Sequence, residues 1–360
     1  MDIKTLVLCF SVAFAISLAA TPLVKNLAYK IGAIDIPNDE RRVHKKPIPR
    51  LGGLAIFYGF LISLLCFANP IDTQTRGLII GSLIIVGVSI IDDVKQLRAL
   101  IKLGAQILAA GVAVWHDIRI DAISVPSFIV ESGYLDLGFW SIPVSMVWII
   151  AVTNAVNLID GLDGLAVGVS SIASFSLFFI AILGGEESVA IIAAALAGGC
   201  LGFLPYNFNP AKIFMGDTGS QFLGYMLSVI CIQGLFKGYA IISFIVPFLI
   251  MGLPLFDTVF AIVRRAWNHK PIMEADRGHL HHRLLDSGFS QKQTVAILYV
   301  ITTILGLSAV LILEKGAYVA VLLLLVALGV AFGTYKLMRK RFNRKREERE
   351  AANAMKNESK

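Results

Sequence analysis

The chain alternates long apolar runs with short polar breaks. A membrane-spanning helix needs about 20 mainly apolar residues. Eleven segments read that way: residues 3–23, 51–69, 74–92, 99–116, 141–159, 164–183, 188–206, 218–236, 239–262, 293–313 and 316–336. The pattern predicts an all-α polytopic membrane protein with about eleven transmembrane helices. The first run, from Ile3 to Ala20, has no basic region before it and no clear small-residue cleavage site. It reads as a retained span rather than a removed signal peptide. Residues 117–140 form a longer connection, where I-R-I-D-A-I alternation and a later Y-L-D-L-G predict a small β-hairpin. No internal repeat is visible. Residues 1–336 therefore read as a single transmembrane domain, and the basic tail 337–360 reads as a charged helix or a disordered arm.

The polar breaks differ in charge from one side to the other. If the N-terminus lies outside, 27 of the 32 Lys and Arg residues fall on inner connections. Only Lys4, Arg76, Arg119, Lys237 and Lys315 fall outside. Cytoplasmic loops carry the excess of Lys and Arg, so the C-terminus is expected inside and the hairpin on the outer face. Loops 25–50, 92–98, 158–163, 207–217 and 264–292 then share the cytoplasmic side. Composition agrees: 56% of residues are hydrophobic and 16% charged, against about 25% charged in a soluble domain. The net charge of +7 fits orientation and contact with the lipid bilayer better than nucleic acid. Cys9, Cys66, Cys200 and Cys231 lie in apolar stretches without metal-ligand spacing and read as inert thiols.

Carboxylates stand at the ends of several apolar runs. Asp92 and Asp93 close one, Asp160 and Asp163 follow another, and Asp217 lies in the loop NFNPAKIFMGDTGS. A carboxylate in hydrocarbon costs roughly 2.5–3.5 kcal/mol, so five at such places point to a site. The Asp92-Asp93 neighbours should repel, raising one pKa unless cations intervene, which would suit a proton acceptor. Lys102, inside the next span, is a cation able to face phosphate. The plain alternative is an ion pair at a helix end. In NAVNLIDGLDGL, Asn154 and Asn157 lie one turn apart on a shared face. Gly161 and Gly164 there let a ligand approach the backbone, and Asp163 could pair with the donor edge of a nucleobase. A glycine-capped helix end is the alternative. Asp217 could cap the next helix or join magnesium, which uses one or two protein carboxylates plus substrate phosphates. Asp257, in PLFDTVFAIVRR, is the acid furthest inside a span, either a structural partner of a polar group or a residue at the fringe of the site.

Two basic stretches complete the set. Lys46 and Arg50 belong to DIPNDERRVHKKPIPRLGG, which reads as positive-inside charge or as a cradle for a lipid phosphate. His279, His281 and His282 stand between Arg277 and Arg283. His-x-His-His admits zinc, but flanking arginines repel a cation and favour an anion such as pyrophosphate. A solvated basic loop is the third reading.

These motifs, in this order and at these span ends, resemble the polyprenyl-phosphate N-acetylhexosamine-1-phosphate transferases over about Asp35 to Gly288. P-x-P-R-x-G-G and H-x-H-H-R look like the bacterial enzymes that load N-acetylglucosamine-1-phosphate onto undecaprenyl phosphate. The related muramoyl-pentapeptide branch typically has three consecutive histidines, where this chain has Leu280 between the first two. The resemblance implies residue roles. Asp92, Asp93 and Lys102 match groups linked to lipid-phosphate activation, with Lys46 and Arg50 beside them. Asn157 and Asp217 match holders of Mg2+, with Mn2+ as an alternative. Gly161, Leu162, Asp163, Asn207 and Phe214 match a uridine pocket in which Phe214 stacks on uracil. Arg277, His279, His281, His282 and Arg283 match a loop on the diphosphate and sugar; Asp160 and Asn154 are further candidates. The resemblance implies a UDP-N-acetylhexosamine donor, an undecaprenyl phosphate acceptor, a bacterial inner-membrane location and a homodimer as an allowed assembly. The rival class is a secondary transporter. Transporters keep ionisable groups near the midplane and often show repeated halves, whereas here the acids cluster at one end.

Overall fold

Within the described residues, each of the eleven apolar segments contains helix. The computed structural model describes residues 2–37, 46–68, 70–125, 130–234, 242–269, 278–315 and 317–358. Helix α1 (Ile3–Ile31) ends at Gly32, whose positive φ of 77° lets its N–H return to Ala28 O. A two-stranded pair, β1 (Ile34–Asp35) with β2 (Ile48–Pro49), follows. Then come α2 (Gly53–Phe67), α3 (Thr73–Lys95) and α4 (Ala99–Trp115). Strands β3 (Ala122–Ser124) and β4 (Tyr134–Asp136) pair antiparallel, giving the expected hairpin. The chain continues through α5 (Ser141–Ile159), α6 (Leu165–Gly184), α7 (Glu187–Asn207) and α8 (Gly216–Gly234). It closes with α9 (Ile242–Ile250), α10 (Gly252–Trp267), α11 (Leu280–Asp286), α12 (Gln291–Lys315) and α13 (Ala317–Glu358).

Seven described helices are long and apolar enough to cross a bilayer, fewer than the eleven crossings expected. Helices α2 and α4 are apolar but shorter. The first turns of α8 are polar, carrying Asp217, Thr218, Ser220 and Gln221. The ninth segment is divided at Met251 into α9 and α10. The charged tail is helical, continuing α13 to Glu358. The β1–β2 pair was not foreseen, since two-residue strands leave no readable alternation.

Helix α7 packs against α1, α2 and α6, and many of its buried residues are small: Ala190, Ala193, Ala194, Ala197, Gly198 and Gly202. Small residues let helix backbones approach closely in a membrane. A Cβ on Gly202 would collide with the Phe14 carbonyl of α1, so Gly202→Leu should force these two helices apart. Helices α3, α5 and α7 finish at the end of the bundle where α2, α4, α6 and α8 begin. The β3–β4 hairpin, between α4 and α5, lies at the opposite end.

Candidate active site

The last turn of α3 carries Asp92 and Asp93, and their side chains diverge because consecutive helical residues point about 100° apart. Asp92 accepts from Leu97 N at 2.6 Å and meets Lys102 Nζ at 3.2 Å. The same ammonium reaches Asp217 Oδ2 at 2.8 Å. One cation from α4 thus joins carboxylates from α3 and α8. Asp93, 2% exposed, turns the other way. It accepts from Asp217 N and Thr218 N, both at 3.0 Å, and from Thr218 Oγ1 at 2.6 Å. It satisfies the free N–H groups of α8 from a distant helix, a capping task usually met locally. Arg50 donates to the Asp93 carbonyl at 3.1 Å. The two neighbours therefore divide their partners, Asp92 with Lys102 and Asp93 with the start of α8.

Asn157 donates to Ser220 Oγ at 2.7 Å and to Asp217 Oδ1 at 3.3 Å. Asn154 donates to Gln106 Oε1 at 2.7 Å. Gln106 reaches Gln221 at 3.3 Å, and Gln221 reaches Asp217 Oδ2 at 3.4 Å. A chain of amides therefore runs from Asp217 into the core across α4, α5 and α8. Sequence reasoning missed Gln106 and Gln221. Their signal was spacing, since each lies one helical turn beyond a singled-out charge, Lys102 and Asp217.

The turn between α5 and α6 forms the next wall. Burial, with Asp217, Asp93 and Asp163 nearby, pushes the Asp160 carboxyl up to about 8. Asp163 Oδ2 accepts from Asn209 Nδ2 at 2.9 Å and Ala211 N at 3.0 Å, so this oxygen braces the loop after α7. Asn207 is buried and fully used, accepting from Gly164 N and donating to Ile213 O, both at 3.0 Å. Phe214 is fixed through its backbone. Its N–H donates to Pro49 O at 2.8 Å, and its carbonyl accepts from Gly52 N at 2.9 Å. The P-I-P-R-L-G-G segment is thereby laid alongside the loop that precedes Asp217.

These groups surround a cavity of about 330 Å3. Its lining includes Arg50, Asp93, Asn157, Asp160, Gly161, Leu162, Asp163, Asn207, Phe214, Asp217 and His282. Asp35 and Gln291 also line it and were not anticipated from sequence. Strand β1 carries Asp35 to the wall, a consequence of a pairing with no sequence signature. Asp92 and Lys102 lie behind Asp217 rather than on the lining. Lys46 lines a neighbouring cavity of about 450 Å3 that shares Asp163 and Gln291 with the first.

The histidine motif contributes unevenly. His282 lines the cavity. His281 is 2% exposed and packs against Gly161, where any Cβ would strike its Nε2. Burial holds its imidazole far below the ordinary value, at about 3, with His282 and His279 adding and Asp257 opposing. His279 bonds Asp257 at 2.9 Å, so that acid has a polar structural partner. Arg283 does not line the cavity. Its guanidinium sits 5.7 Å from the Phe260 ring centroid. Arg277 lies outside the described residues.

The donor set suits a hard divalent cation in kind. Asp217 and Asn157, on adjacent helices, would be its oxygen donors, with the rest of a magnesium shell left to waters and substrate phosphates. The Asn157 amide, now donating toward Asp217, would turn its oxygen inward to take part.

Comparison with known proteins shows what the chain is similar to. The model of glycosyl transferase family 4 matches residues 75–235. A probable undecaprenyl-phosphate N-acetylglucosaminyl 1-phosphate transferase of Bacillus subtilis (strain 168) is 40% identical over 321 residues, 89% of this chain and 88% of the relative. A decaprenyl-phosphate N-acetylglucosaminephosphotransferase of Mycobacterium tuberculosis (strain ATCC 25618 / H37Rv) is 35% identical over 337 residues, 86% of this chain and 83% of the relative. A phospho-N-acetylmuramoyl-pentapeptide-transferase of Moorella thermoacetica is more distant, at 32% identity over 304 residues, 77% of this chain and 89% of the relative.

Proposed function

We propose that this chain, which belongs to glycosyl transferase family 4, transfers N-acetylglucosamine-1-phosphate from its UDP-sugar to undecaprenyl phosphate and releases UMP. The observation that carries the reading is Lys102 held between Asp92 and Asp217 directly behind a cavity walled by Asp163, Phe214 and His282. Such a floor suits a diphosphate, and the relatives' substrates supply its identity.

In the proposed reaction an oxygen of the lipid phosphate attacks the β-phosphorus of the donor. The new P–O bond forms as the bond to the bridging oxygen breaks, and UMP leaves with the electron pair. A phosphate monoester has a second pKa of about 6, so the acceptor is largely dianionic at pH 7. Catalysis is then mostly positioning and charge neutralisation. Lys102 and Arg50 attract the lipid phosphate, while Phe214 and the Gly161–Asp163 turn hold the uridine. Mg2+, or Mn2+ in its place, would be held by Asp217 and Asn157 and would offset the charge of the diphosphate.

The site end of the bundle carries the loops rich in Lys and Arg, which supports a cytoplasmic active site in a bacterial inner membrane. The product would open the assembly of a cell-envelope polysaccharide. UMP release with undecaprenyl phosphate is the test, run side by side with UDP-GlcNAc, UDP-GalNAc and UDP-muramoyl-pentapeptide. UDP-GlcNAc should be the best donor. No UMP from any of them would overturn the reading.

A further inference from the structure

Asp257 is 5% exposed, lies on α10 and does not line the cavity. Both its oxygens nevertheless serve the histidine motif. Oδ2 meets His279 Nδ1 at 2.9 Å, and Oδ1 accepts from Leu280 N at 2.8 Å. Further along the same face of α10, Phe260 lies near the guanidiniums of both Arg264 and Arg283. Arg264, one turn beyond Phe260, donates to the Gly278 carbonyl. Residues 257, 260 and 264 fall on one helical face, so α10 grips the motif at three successive levels.

The pairing carries chemical information as well as strength. A buried carboxylate costs free energy unless it is paired and hydrogen-bonded. Here a backbone N–H on one oxygen favours the ionised carboxylate, and an ionised carboxylate can only accept at the other oxygen. The partner that an imidazole nitrogen bonds decides which ring nitrogen keeps its proton. An accepting Asp257 therefore places the proton of His279 on Nδ1. The His279 ring stacks on His281 with centroids 5.8 Å apart and planes within 7°. The His281 ring meets His282 at 4.3 Å, and His282 reaches the cavity. The three rings form a column from Asp257 to the cavity wall.

We propose that Asp257 is a positioning residue for the transfer reaction: it fixes His279 as the Nδ1–H form and anchors the start of α11, so that His282 is presented to the donor. The proposal rests on the transferase reading above. It extends that reading to a helix whose acid never touches substrate.

The test uses the full chain, purified in detergent, with 15N-labelled histidine. Wild type should show a His279 ring protonated at Nδ1, assigned by loss of the signal in His279→Gln. Asp257→Asn keeps the shape and an oxygen for Leu280 N–H but turns an amide N–H toward the ring, so the proton should move to Nε2. Turnover should fall about 10–100-fold, the scale seen when the partner that orients a functional histidine is lost. KM for the UDP-sugar should stay within about twofold, because the residue does not bind the donor. Asp257→Glu, which retains the carboxylate, should recover part of the turnover and keep the Nδ1–H signal. Wild-type turnover in Asp257→Asn would overturn the proposal. So would identical His279 nitrogen shifts in the two proteins, even with turnover reduced, since the acid would then be only a packing element. If Asp257→Asn fails to fold, Asp257→Glu decides: an Nε2–H signal there overturns the proposal. A wild-type chain that makes no UMP would end the transferase reading, while the nitrogen shifts would still test the pairing.

Discussion

At the cavity floor, Asp92, Lys102, Asn157 and Asp217 reach one another from four helices, and nearly every polar atom has a partner. The histidine motif is tied to α10 along one face and to Gly161 through His281, and among its described residues only His282 touches the lining. The floor is held by charges paired across helices, so the loss of one leaves others uncompensated. The motif is held by one buried carboxylate, two arginine contacts and the packing of His281 on Gly161. On the proposed function, the contrast separates residues assigned to the chemistry from residues that keep others in place. It also predicts where damage spreads.

The largest effect should come from the floor. Asp217→Ala removes the acceptor shared by Lys102, Asn157 and Gln221, and turnover should fall below about a tenth of wild type in saturating magnesium, as expected for loss of a metal-bearing carboxylate. The protein should remain folded by gel filtration and thermal melting. Turnover above that level would break the idea that the floor carries the chemistry.

The paired aspartates sharpen the comparison within the floor. Asp93→Ala leaves two backbone N–H groups and a hydroxyl of α8 without their acceptor. An unsatisfied buried donor costs about 1–3 kcal/mol, so this variant should lose several kcal/mol of stability. Asp92→Ala should lose turnover with a much smaller drop in melting temperature. Equal melting temperatures would show that Asp93 is not the cap of α8.

Phe214 tests the wall opposite the histidines. An aromatic–base stack is worth roughly 1–3 kcal/mol by alanine substitution. Phe214→Ala should therefore raise KM for the UDP-sugar about 5- to 150-fold while leaving KM for the lipid phosphate little changed. An unaltered KM for the nucleotide sugar would make Phe214 a packing residue.

Arg283 should give the smallest effect. Its guanidinium lies over Phe260 and not in the cavity, so Arg283→Ala should change turnover by no more than about twofold, the scale of a surface substitution. A hundredfold loss would mean that this side chain swings to the diphosphate during the reaction, and that the motif as a whole closes over the donor.

Much of the molecule was legible before any coordinates. Apolar runs of about 20 residues mark helices because a bilayer satisfies backbone polar groups only in closed hydrogen-bonded structures. The same rule made each carboxylate at a run's end conspicuous, and Asp92, Asn157, Asp160, Asp163 and Asp217 do meet at one end of the bundle. Their order along the chain and the asymmetry of Lys and Arg were also sequence properties. The hairpin at β3–β4 followed from alternation alone.

Which acid does what was decided only in three dimensions. Asp92 and Asp93 are neighbours with the same chemistry, and nothing in their sequence says that one meets Lys102 while the other caps α8. Helix rotation and the position of a distant N-terminus divide them. Gln106 and Gln221 became part of the site because α4, α5 and α8 pack with those faces together. Asp35 and Gln291 joined the cavity wall through contacts between remote segments, and Arg283 lies off it beside the Phe260 ring. Asp257 shows the same principle. Sequence alone marked it as an acid too deep in an apolar segment, and the fold supplied the histidine that makes the placement affordable. Composition and periodicity determine which segments leave water, because that depends on each residue's own transfer free energy. The pairing of buried polar groups depends on which faces meet, and only the packed structure sets that.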